Sequence, residues 1–558
     1  MERELKQVIA TVCQELFSVD VSVALTRPDE QFGDYATNVA LQLSKQVSKN
    51  PREVAEELAV KIREKCEKSV KSVVVAGPGF INITLDDETL LESLDAQNPL
   101  PLMGKVIVTE YSDMNPFKQS HIGHLYTTVV GDVISRLYEA AGATVHRVNF
   151  GGDVGLHVAK TMWGILHFLG SENPEGLASV ADDSKTRTTW LSQRYVEGNK
   201  AYETSDESKA EIIDINQKVY SLHAESDHDS PFAQIYWTCR EWSYAYFKDF
   251  YDLLQVSQFE KYYPESVTAP EGIEVVREQL SNGVYQESDG AVVFDGEQYG
   301  LHTRVFINSK GLPTYEAKDV GLSIQKWRDY QFDESVIVTG NDIQEYMKVV
   351  LKSIEQFKPE LVERTRHITH GNVKLAGGVK MSSRLGNGLA PEEVIESARQ
   401  ASVELTGKSD EASVIGAVKY AFLRSRIGAD LIYSPVESVS LEGNSGPYLQ
   451  YAHARARSIL DKSDKKPMMP TELQADERTL VRKLSEYQET VDVATSELLP
   501  HYICVYLYEL SQVFNRFYEH NRVICDTRES ERLNLVQHYA DTLKNGLNLL
   551  GIQAPNRM

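Results

Sequence analysis

The sequence predicts an α/β protein of several domains, in which a doubly wound parallel sheet lies between a small α+β domain and an all-α domain. The chain has 558 residues, more than one hydrophobic core usually accommodates. From residue 105 to residue 150 a strand, a helix and a second strand follow one another, as in a βαβ unit of a parallel sheet. From about residue 441 onward the apolar residues recur mostly at helical spacing.

Residues 1–98 are predicted to form the small α+β domain. Three stretches show helical periodicity, and a β-branched run and an alternating run follow them. The predicted elements are helices at 5–16, 37–47 and 52–65 and strands at 73–75 and 80–83. The polar stretch 95–101 ends in two prolines and is predicted to be the linker to the next domain.

The doubly wound sheet is predicted over residues 102–400, with an acidic helical insertion at about 164–264. Its first strand is expected at 106–108, and Ser120 is expected to cap the helix that follows. Gly142 is expected to end that helix. Further strands are predicted at 145–150 and 336–338. The rest of the chain is predicted to be a connecting helical segment at 401–440 and the all-α domain at 441–558.

The composition is that of a water-soluble globular protein, with 42% hydrophobic and 25% charged residues. No apolar run approaches the roughly 20 residues that a membrane helix needs, so no membrane contact is expected. The acidic N-terminus resembles neither a secretory signal nor a transit peptide, which predicts a cytoplasmic protein. Five scattered cysteines without a Cys-x-x-Cys pair predict reduced thiols and no metal site within the protein.

The net charge of −23 argues against a protein that binds nucleic acid by bulk electrostatic attraction, and no DNA partner is expected. The charge is uneven along the chain. Residues 164–264 contain 9 basic and 17 acidic side chains, whereas residues 441–558 contain 14 basic and 16 acidic ones. We therefore expect RNA to bind only at a local surface of defined shape, and we expect the acidic insertion to be solvated decoration.

Two short motifs have the residue types that phosphate chemistry requires. Residues 121–124 (His-Ile-Gly-His) follow a strand and begin a helix, where free N–H groups and the helix dipole favour phosphate. The glycine lets a nucleotide approach the backbone closely. Residues 380–384 (Lys-Met-Ser-Ser-Arg) lie in a glycine-rich stretch, which predicts a mobile loop whose lysine reaches a developing phosphoryl charge. Taken alone, the first motif is equally compatible with an ordinary helix cap, and the second with a solvated loop.

In this order and on this topology, the two motifs resemble the paired nucleotide-binding signatures of class I aminoacyl-tRNA synthetases. Residues 110–120 (Glu-Tyr-Ser-Asp-Met-Asn-Pro-Phe-Lys-Gln-Ser) resemble the stretch that precedes the histidine motif in the arginyl-tRNA synthetase family. Residues 149–155 (Asn-Phe-Gly-Gly-Asp-Val-Gly) resemble that family's Gly-Asp-Trp-Gly turn, with Val154 in place of tryptophan. Residues 315–319 (Tyr-Glu-Ala-Lys-Asp) match its Tyr-x-x-x-Asp, a spacing that places phenol and carboxylate on one helix face.

Both ends of the chain extend the resemblance, which is weakest in the acidic insertion. Residues 32–38 and 77–82 resemble the arginyl-specific N-terminal domain, which contacts the tRNA elbow in that family. Residues 446–455 and 550–558 resemble the beginning and the end of its helical anticodon-binding domain. Four aromatic side chains of this region could stack on bases, although their helical spacing favours positions in the core. They are Tyr502, Tyr506, Phe514 and Phe517.

The resemblance implies ATP-dependent ligation of L-arginine to tRNA(Arg) through an arginyl-adenylate, with a sheet domain of Rossmann type and adenylate formation that needs bound tRNA. It implies ATP as a substrate and Mg²⁺ bound mainly through the ATP phosphates. The catalytic residues that it implies are Lys118, His121, His124 and Lys380. The implied ATP-binding residues are His121, Gly123, His124, Met381, Ser382 and Ser383. The implied arginine-binding residues are Glu110, Asn115, His124, Glu265, Tyr315, Asp319 and Gln344.

The chemistry of arginine agrees with that implied set, because a guanidinium carries five donors in a rigid fork and needs carboxylate, phenol or amide acceptors. Two other functions remain to be weighed. An adenylate-forming or nucleotidyl-transfer enzyme that does not use tRNA would have no need of the two terminal domains. A non-catalytic RNA-binding paralogue would have no need of both histidines, Lys380 and the arginine pocket.

Overall fold

Three units follow one another along the chain, and the computed structural model describes them over residues 1–96, 100–376 and 389–558. The predicted fold class is confirmed, with a parallel sheet between an α+β unit and a helical unit. Within the described ranges, no helix is both long enough and apolar enough to cross a membrane.

The N-terminal unit packs helices on one small antiparallel sheet of order β1-β3-β2. Its elements are α1 (Glu2–Phe17), β1 (Tyr35–Thr37), α2 (Val39–Val47), α3 (Pro51–Lys65), β2 (Val70–Ala76), β3 (Phe80–Leu85) and α4 (Asp87–Asp95). The helix expected from residue 37 begins two residues later, because Thr37 pairs with Ile81 in the sheet. Helix α4 was not predicted, and the Asp86 side chain caps it by accepting the Thr89 N–H at 2.7 Å.

The central unit is built on five parallel strands in the order β11-β10-β4-β5-β6. The elements from its start to the insertion are β4 (Val106–Glu110), α5 (Ile122–Ala140), β5 (Thr144–Gly151), α6 (Leu156–Leu169), α7 (Ser184–Thr204), α8 (Asp206–Ala224) and α9 (Pro231–Leu254). Those that follow are β6 (Lys261–Pro264), α10 (Glu265–Ser281), β7 (Gln286–Ser288), β8 (Ala291–Phe294), β9 (Arg304–Ile307), α11 (Tyr315–Tyr330), β10 (Glu334–Gly340), α12 (Gln344–Glu355), α13 (Pro359–Glu363), β11 (Thr365–His370) and β12 (Val373–Leu375). Strands β7 to β9 form a separate antiparallel sheet.

The acidic insertion is a packed helical subdomain rather than solvated decoration. Its helices α6 to α9 enclose an apolar core that includes Val158, Leu191 and Tyr236. Helices α6 and α7 cross closely, since a Cβ on Gly198 would lie 1.9 Å from the Lys160 carbonyl oxygen. Residues 261–264, which we expected to end the insertion, form β6 and pair with β5 as the edge strand of the main sheet.

The C-terminal unit is helical, as its periodicity predicts. Its elements are α14 (Pro391–Thr406), α15 (Glu411–Leu423), β13 (Leu431–Tyr433), α16 (Pro435–Ser438), α17 (Gly446–Leu460), α18 (Ala475–Ser485), α19 (Tyr487–Glu497), α20 (His501–His520) and α21 (Glu529–Leu549). The expected domain bound at residue 400 falls inside α14. Tyr506, Phe514 and Phe517 are buried in the core, which is the position that their spacing favours, and Tyr502 is half-buried.

The N-terminal unit docks on helices α18 and α19 through partly buried ion pairs. Arg478 donates to the Asp34 carboxylate at 2.8 Å, and Asp34 is fully buried. Arg27 donates to both carboxylate oxygens of Glu489, at 3.0 and 2.7 Å. Asp34, in the stretch that resembles the family's N-terminal domain, therefore joins the two ends of the chain.

Candidate active site

The site residues lie where the parallel strands end and the next helices begin. Glu110 is the last residue of β4, and Glu265 is the first residue of α10, directly after β6. His121 precedes α5, and Asp319 lies in the second turn of α11. Parallel strands place their carboxyl ends at one edge of a sheet, which is where ligands bind in open α/β folds. The topology therefore brings these side chains to one edge.

The histidine motif caps helix α5 with its own two rings. The His121 Nδ1 accepts the Gly123 N–H at 3.1 Å, and the His124 Nδ1 accepts the His121 N–H at 3.1 Å. Since both Nδ1 atoms accept, each neutral ring carries its proton on Nε2, a donor free to meet a phosphate oxygen. The expected Ser120 cap is wrong, because the Ser120 hydroxyl is buried and donates to the Met114 sulfur at 2.8 Å.

Both histidines are neutral at physiological pH. Burial and the nearby Lys118 ammonium lower the pKa of His121 to about 4. Burial, His121 and Lys118 hold the pKa of His124 well below its usual range. The two rings therefore act as hydrogen-bond donors, and positive charge at this end of the site comes from Lys118. Burial lowers the pKa of Lys118 itself, and the Glu265 carboxylate opposes that shift.

Two buried ion pairs neutralise two of the acids. Lys326 of α11 donates to Glu110 and lies 3.3 Å from the Ser335 hydroxyl. Lys318, eight residues earlier on the same helix, donates to Glu265 at 2.5 Å. All four charged side chains are at most 4% exposed. Burying an ionised carboxylate is tolerable only with such a partner, so these lysines belong to the site together with the acids.

Two further acids form no ion pair with a lysine among the described residues, and both carry raised pKa values. Burial raises the pKa of Asp319 from 3.8 to about 8, while a hydrogen bond from the Tyr346 hydroxyl opposes the shift. Burial and the Glu110 carboxylate raise the pKa of Asp113 well above its usual range. One Asp113 oxygen accepts the Phe150 N–H at 2.9 Å. Asp113 was missed in the sequence, although an acid three residues after Glu110 and just beyond a strand was a usable signal.

Asn115 and Glu265 converge on the turn after β5. The Asn115 side-chain oxygen accepts the Gly152 N–H at 2.9 Å. A Cβ on Gly152 would lie 2.6 Å from that oxygen and 3.1 Å from the Glu265 carboxylate, so a larger residue there would displace the Asn115 or Glu265 side chain. Asp153 accepts the N–H and the hydroxyl of Ser266, at 2.9 and 2.7 Å, and thereby orients the start of α10.

Val154, at the position of the family's tryptophan, is fully buried in the core of the insertion. Tyr315 and Gln344 are both exposed. The Tyr315 ring lies 5.1 Å from the Lys318 ammonium, and its hydroxyl has no hydrogen-bond partner among the described residues. Gln344 begins α12, and it is Tyr346, two residues further on, that contacts Asp319. The assignments of Tyr315 and Gln344 therefore stay predictions.

The second motif, with Lys380, Met381, Ser382 and Ser383, lies outside the described residues. The chain that follows it contacts the helix of the first motif and helix α9 of the insertion. The Leu389 carbonyl oxygen accepts the Ile122 N–H at 2.8 Å, and Glu392 accepts the Tyr246 hydroxyl at 2.6 Å.

Comparisons with known proteins cover almost the whole chain. Residues 89–434 match the family model described as tRNA synthetases class I (R), catalytic domain. Residues 2–85 match the arginyl tRNA synthetase N terminal domain, and residues 449–558 match the DALR anticodon binding domain.

Individual proteins give the same result. The chain is 28% identical to the arginine–tRNA ligase of Phocaeicola vulgatus over the full length of both chains. It is 28% identical to that of Treponema pallidum, over 94% of this chain and 92% of the relative. Its fold is similar to that of Thermus thermophilus arginyl-tRNA synthetase, with a TM-score of 0.81, 24% identity and full coverage of both chains. The Plasmodium falciparum arginyl-tRNA synthetase has a TM-score of 0.80, with 21% identity over 100% of this chain and 99% of the other. With a catalytic-domain model that matches well over half of its length, the chain belongs to the class I arginyl-tRNA synthetases.

Proposed function

We propose that the acids at the strand ends bind L-arginine and that the histidine motif binds ATP beside them. As a member of its family, the chain ligates arginine to tRNA with ATP through an aminoacyl-adenylate. The observation that supports the placement is a pair of acids with raised pKa values, Asp113 and Asp319, at the sheet edge where the neutral histidine cap also lies. A site with this excess of carboxylate suits a cationic substrate.

The guanidinium of arginine is assigned to Asp319, with Glu265 and Tyr315 beside it. Asp319 has no lysine partner among the described residues, so a guanidinium fork supplies the charge that it lacks. Glu110 and Asn115 hold the amino-acid end, with Gln344 as the further amide on α12. The His124 side chain is assigned to the boundary between this end and the phosphates.

The triphosphate of ATP is assigned to the start of α5. The Nε2 donors of His121 and His124, the Lys118 ammonium and the close approach at Gly123 supply contacts to its oxygens. Lys380 is assigned to the phosphoryl charge that develops during the reaction, with Met381, Ser382 and Ser383 around the nucleotide. The arginine carboxylate attacks the α-phosphorus in line and pyrophosphate leaves. A hydroxyl of the terminal tRNA adenosine then attacks the arginyl carbonyl and AMP leaves.

Magnesium is proposed to enter with ATP. In the described part of the chain no group of histidine, cysteine and carboxylate side chains is arranged to bind a metal ion. Glu110 and Glu265 are already paired with lysines. Mg²⁺ is therefore assigned to phosphate oxygens and water, a coordination that it commonly keeps in nucleotide sites, where it neutralises phosphate charge.

The two terminal units are proposed as the surfaces for tRNA(Arg). The net charge of −23 leaves only local surfaces for the phosphate backbone. We also propose the domain bounds 1–98, 102–400, 401–440 and 441–558, and a requirement for bound tRNA in adenylate formation.

The test is ATP–pyrophosphate exchange with arginine, with and without tRNA(Arg), and with lysine and citrulline as alternative substrates. We expect exchange only with arginine and tRNA together. Lys118→Ala is expected to raise the KM for ATP at least about tenfold, because a charged hydrogen bond contributes roughly 1.5–3 kcal/mol. It is expected to leave the KM for arginine within about twofold. Exchange without arginine dependence would exclude the pocket, and an unchanged KM for ATP would exclude the role of Lys118.

A further inference from the structure

The loop between β4 and α5 has a strained backbone conformation that requires contacts from outside the loop. Three of its residues that are not glycine have left-handed backbones, with φ of 74° at Ser112, 47° at Asp113 and 69° at Phe117. Each such residue costs about 1–3 kcal/mol and persists only where surrounding contacts impose it. Lys118, the proposed ATP ligand, directly follows the third.

Contacts from the insertion fix the last part of this loop, residues 117–119. The Phe117 N–H donates to the Ser243 hydroxyl of α9 at 3.0 Å. The Gln119 N–H donates to the Ser192 hydroxyl of α7 at 2.7 Å. The backbone of Lys118 is thus fixed on both sides by side chains that lie more than 70 residues away in the sequence.

These anchors are buried and directional. Ser192 is fully buried and Ser243 is 3% exposed. The Ser243 hydroxyl donates to the Cys239 carbonyl oxygen at 3.0 Å, which leaves its lone pairs for the Phe117 N–H. The Phe117 ring packs 5.2 Å from the Tyr236 ring inside the core of the insertion. In addition, the Thr161 hydroxyl of α6 lies 3.1 Å from the Phe117 carbonyl oxygen.

We propose that Ser192 and Ser243 are positioning residues for ATP, which act by fixing the backbone that carries Lys118. The inference rests on the proposed role of Lys118. If so, the acidic insertion helps to position ATP, a role that its amino-acid composition does not indicate. Since Asn115 is fixed separately by the Gly152 N–H, the two serines affect ATP and leave arginine largely unaffected.

The first experiment measures pyrophosphate exchange at saturating tRNA for Ser192→Ala and Ser243→Ala. Each variant loses one hydrogen bond worth about 1 kcal/mol, which predicts a KM for ATP about fivefold higher. The KM for arginine stays within about twofold. Thr188→Val is the matched control, because Thr188 is a buried residue of α7 whose hydroxyl has no hydrogen-bond partner among the described residues. It leaves both KM values unchanged.

A double-mutant cycle then separates positioning from general packing. If Ser243 acts through Lys118, the variant Lys118→Ala/Ser243→Ala has the same KM for ATP as Lys118→Ala. Additive effects, or an equal rise of both KM values in Ser243→Ala, overturn the inference. An unchanged KM for ATP in Lys118→Ala overturns the proposed role of Lys118 instead. Melting temperatures identify a variant that fails to fold, and the same cycle with Ser192→Ala then decides the question.

Discussion

Arginine affinity is predicted to rise with pH, because Asp319 has to lose its proton to meet the guanidinium. Its pKa is raised from 3.8 to about 8, so the protein without substrate contains a mostly protonated carboxyl group at neutral pH. The ionised fraction is about 3% at pH 6.5 and about one half at pH 8. The KM for arginine should therefore fall about fifteenfold over this interval. The guanidinium stays charged throughout.

The assay is pyrophosphate exchange with tRNA between pH 6.5 and 8, with the KM for ATP measured in parallel. Loss of the proton from arginine's own ammonium would raise the KM with pH, which is the opposite direction. Tyr346→Phe removes a hydrogen bond that favours the ionised form of Asp319, so it should shift the profile to higher pH. Tyr299→Phe, whose exposed hydroxyl donates to Gln356, is the control and should leave the profile unchanged.

The raised pKa of Asp319 also makes the stability of the folded protein depend on pH. The folded protein binds the Asp319 proton more tightly than the unfolded chain does. The contribution of this proton to the free energy of unfolding is therefore fully present below pH 3.8 and is lost as the pH rises towards 8. Relative to the unmodified protein, Asp319→Asn should therefore be more stable at pH 8 than at pH 5 in the absence of substrate. The same substitution should abolish the pH dependence of arginine binding. A KM for arginine that is flat from pH 6.5 to 8 in the unmodified protein would refute the reasoning.

Two further predictions concern packing. In Gly321→Ala the new Cβ would lie 2.2 Å from the Thr268 carbonyl oxygen and would push α10 and α11 apart. This variant should have a free energy of unfolding that is lower by about 1–3 kcal/mol, and its KM for arginine should be higher. Urea unfolding measures the stability, and pyrophosphate exchange measures the KM for arginine. An unchanged free energy of unfolding would contradict the prediction, because it would mean that α10 and α11 can move apart without cost. Arg478→Met should lower the free energy of unfolding by about 3 kcal/mol, because it leaves Asp34 buried with weaker pairing. In the control, Arg3→Met, the exposed pair with Asp492 is lost for less than about 1 kcal/mol, and equal effects of the two variants would contradict the interpretation.

The sequence predicted the elements of the fold well where one periodicity dominates. The helix at 501–520 and the strands at 106–108, 145–150 and 336–338 all lie within observed elements. It failed at residues 261–264, because a four-residue edge strand has too few positions to show an alternating pattern.

In the site, the residues that were predicted are those in local motifs, such as Glu110, Asn115 and Asp319. The lysines that neutralise the acids were missed, since their partners lie 53 and 216 residues away in the chain. A signal existed for Lys326, which follows Asp319 by seven residues and so lies on the same helix face. For the insertion, composition was a poor guide because a few buried serines determine its contacts with the loop.

We expect the proposed pocket to select arginine by its charge, which would make a second, editing site unnecessary. Glu110 and Glu265 are paired with Lys326 and Lys318, so we expect the discrimination to depend on Asp319, which forms no ion pair among the described residues and is the acid assigned to the guanidinium. Citrulline has nearly the shape of arginine but no charge, and it cannot compensate the carboxylate when the proton leaves. Lysine carries the charge on a single ammonium, which cannot engage a carboxylate and a phenol with one rigid fork. Because Asp319 stays protonated below its raised pKa, an unpaired carboxylate penalises citrulline only as the pH approaches 8, so discrimination between arginine and citrulline should rise with pH.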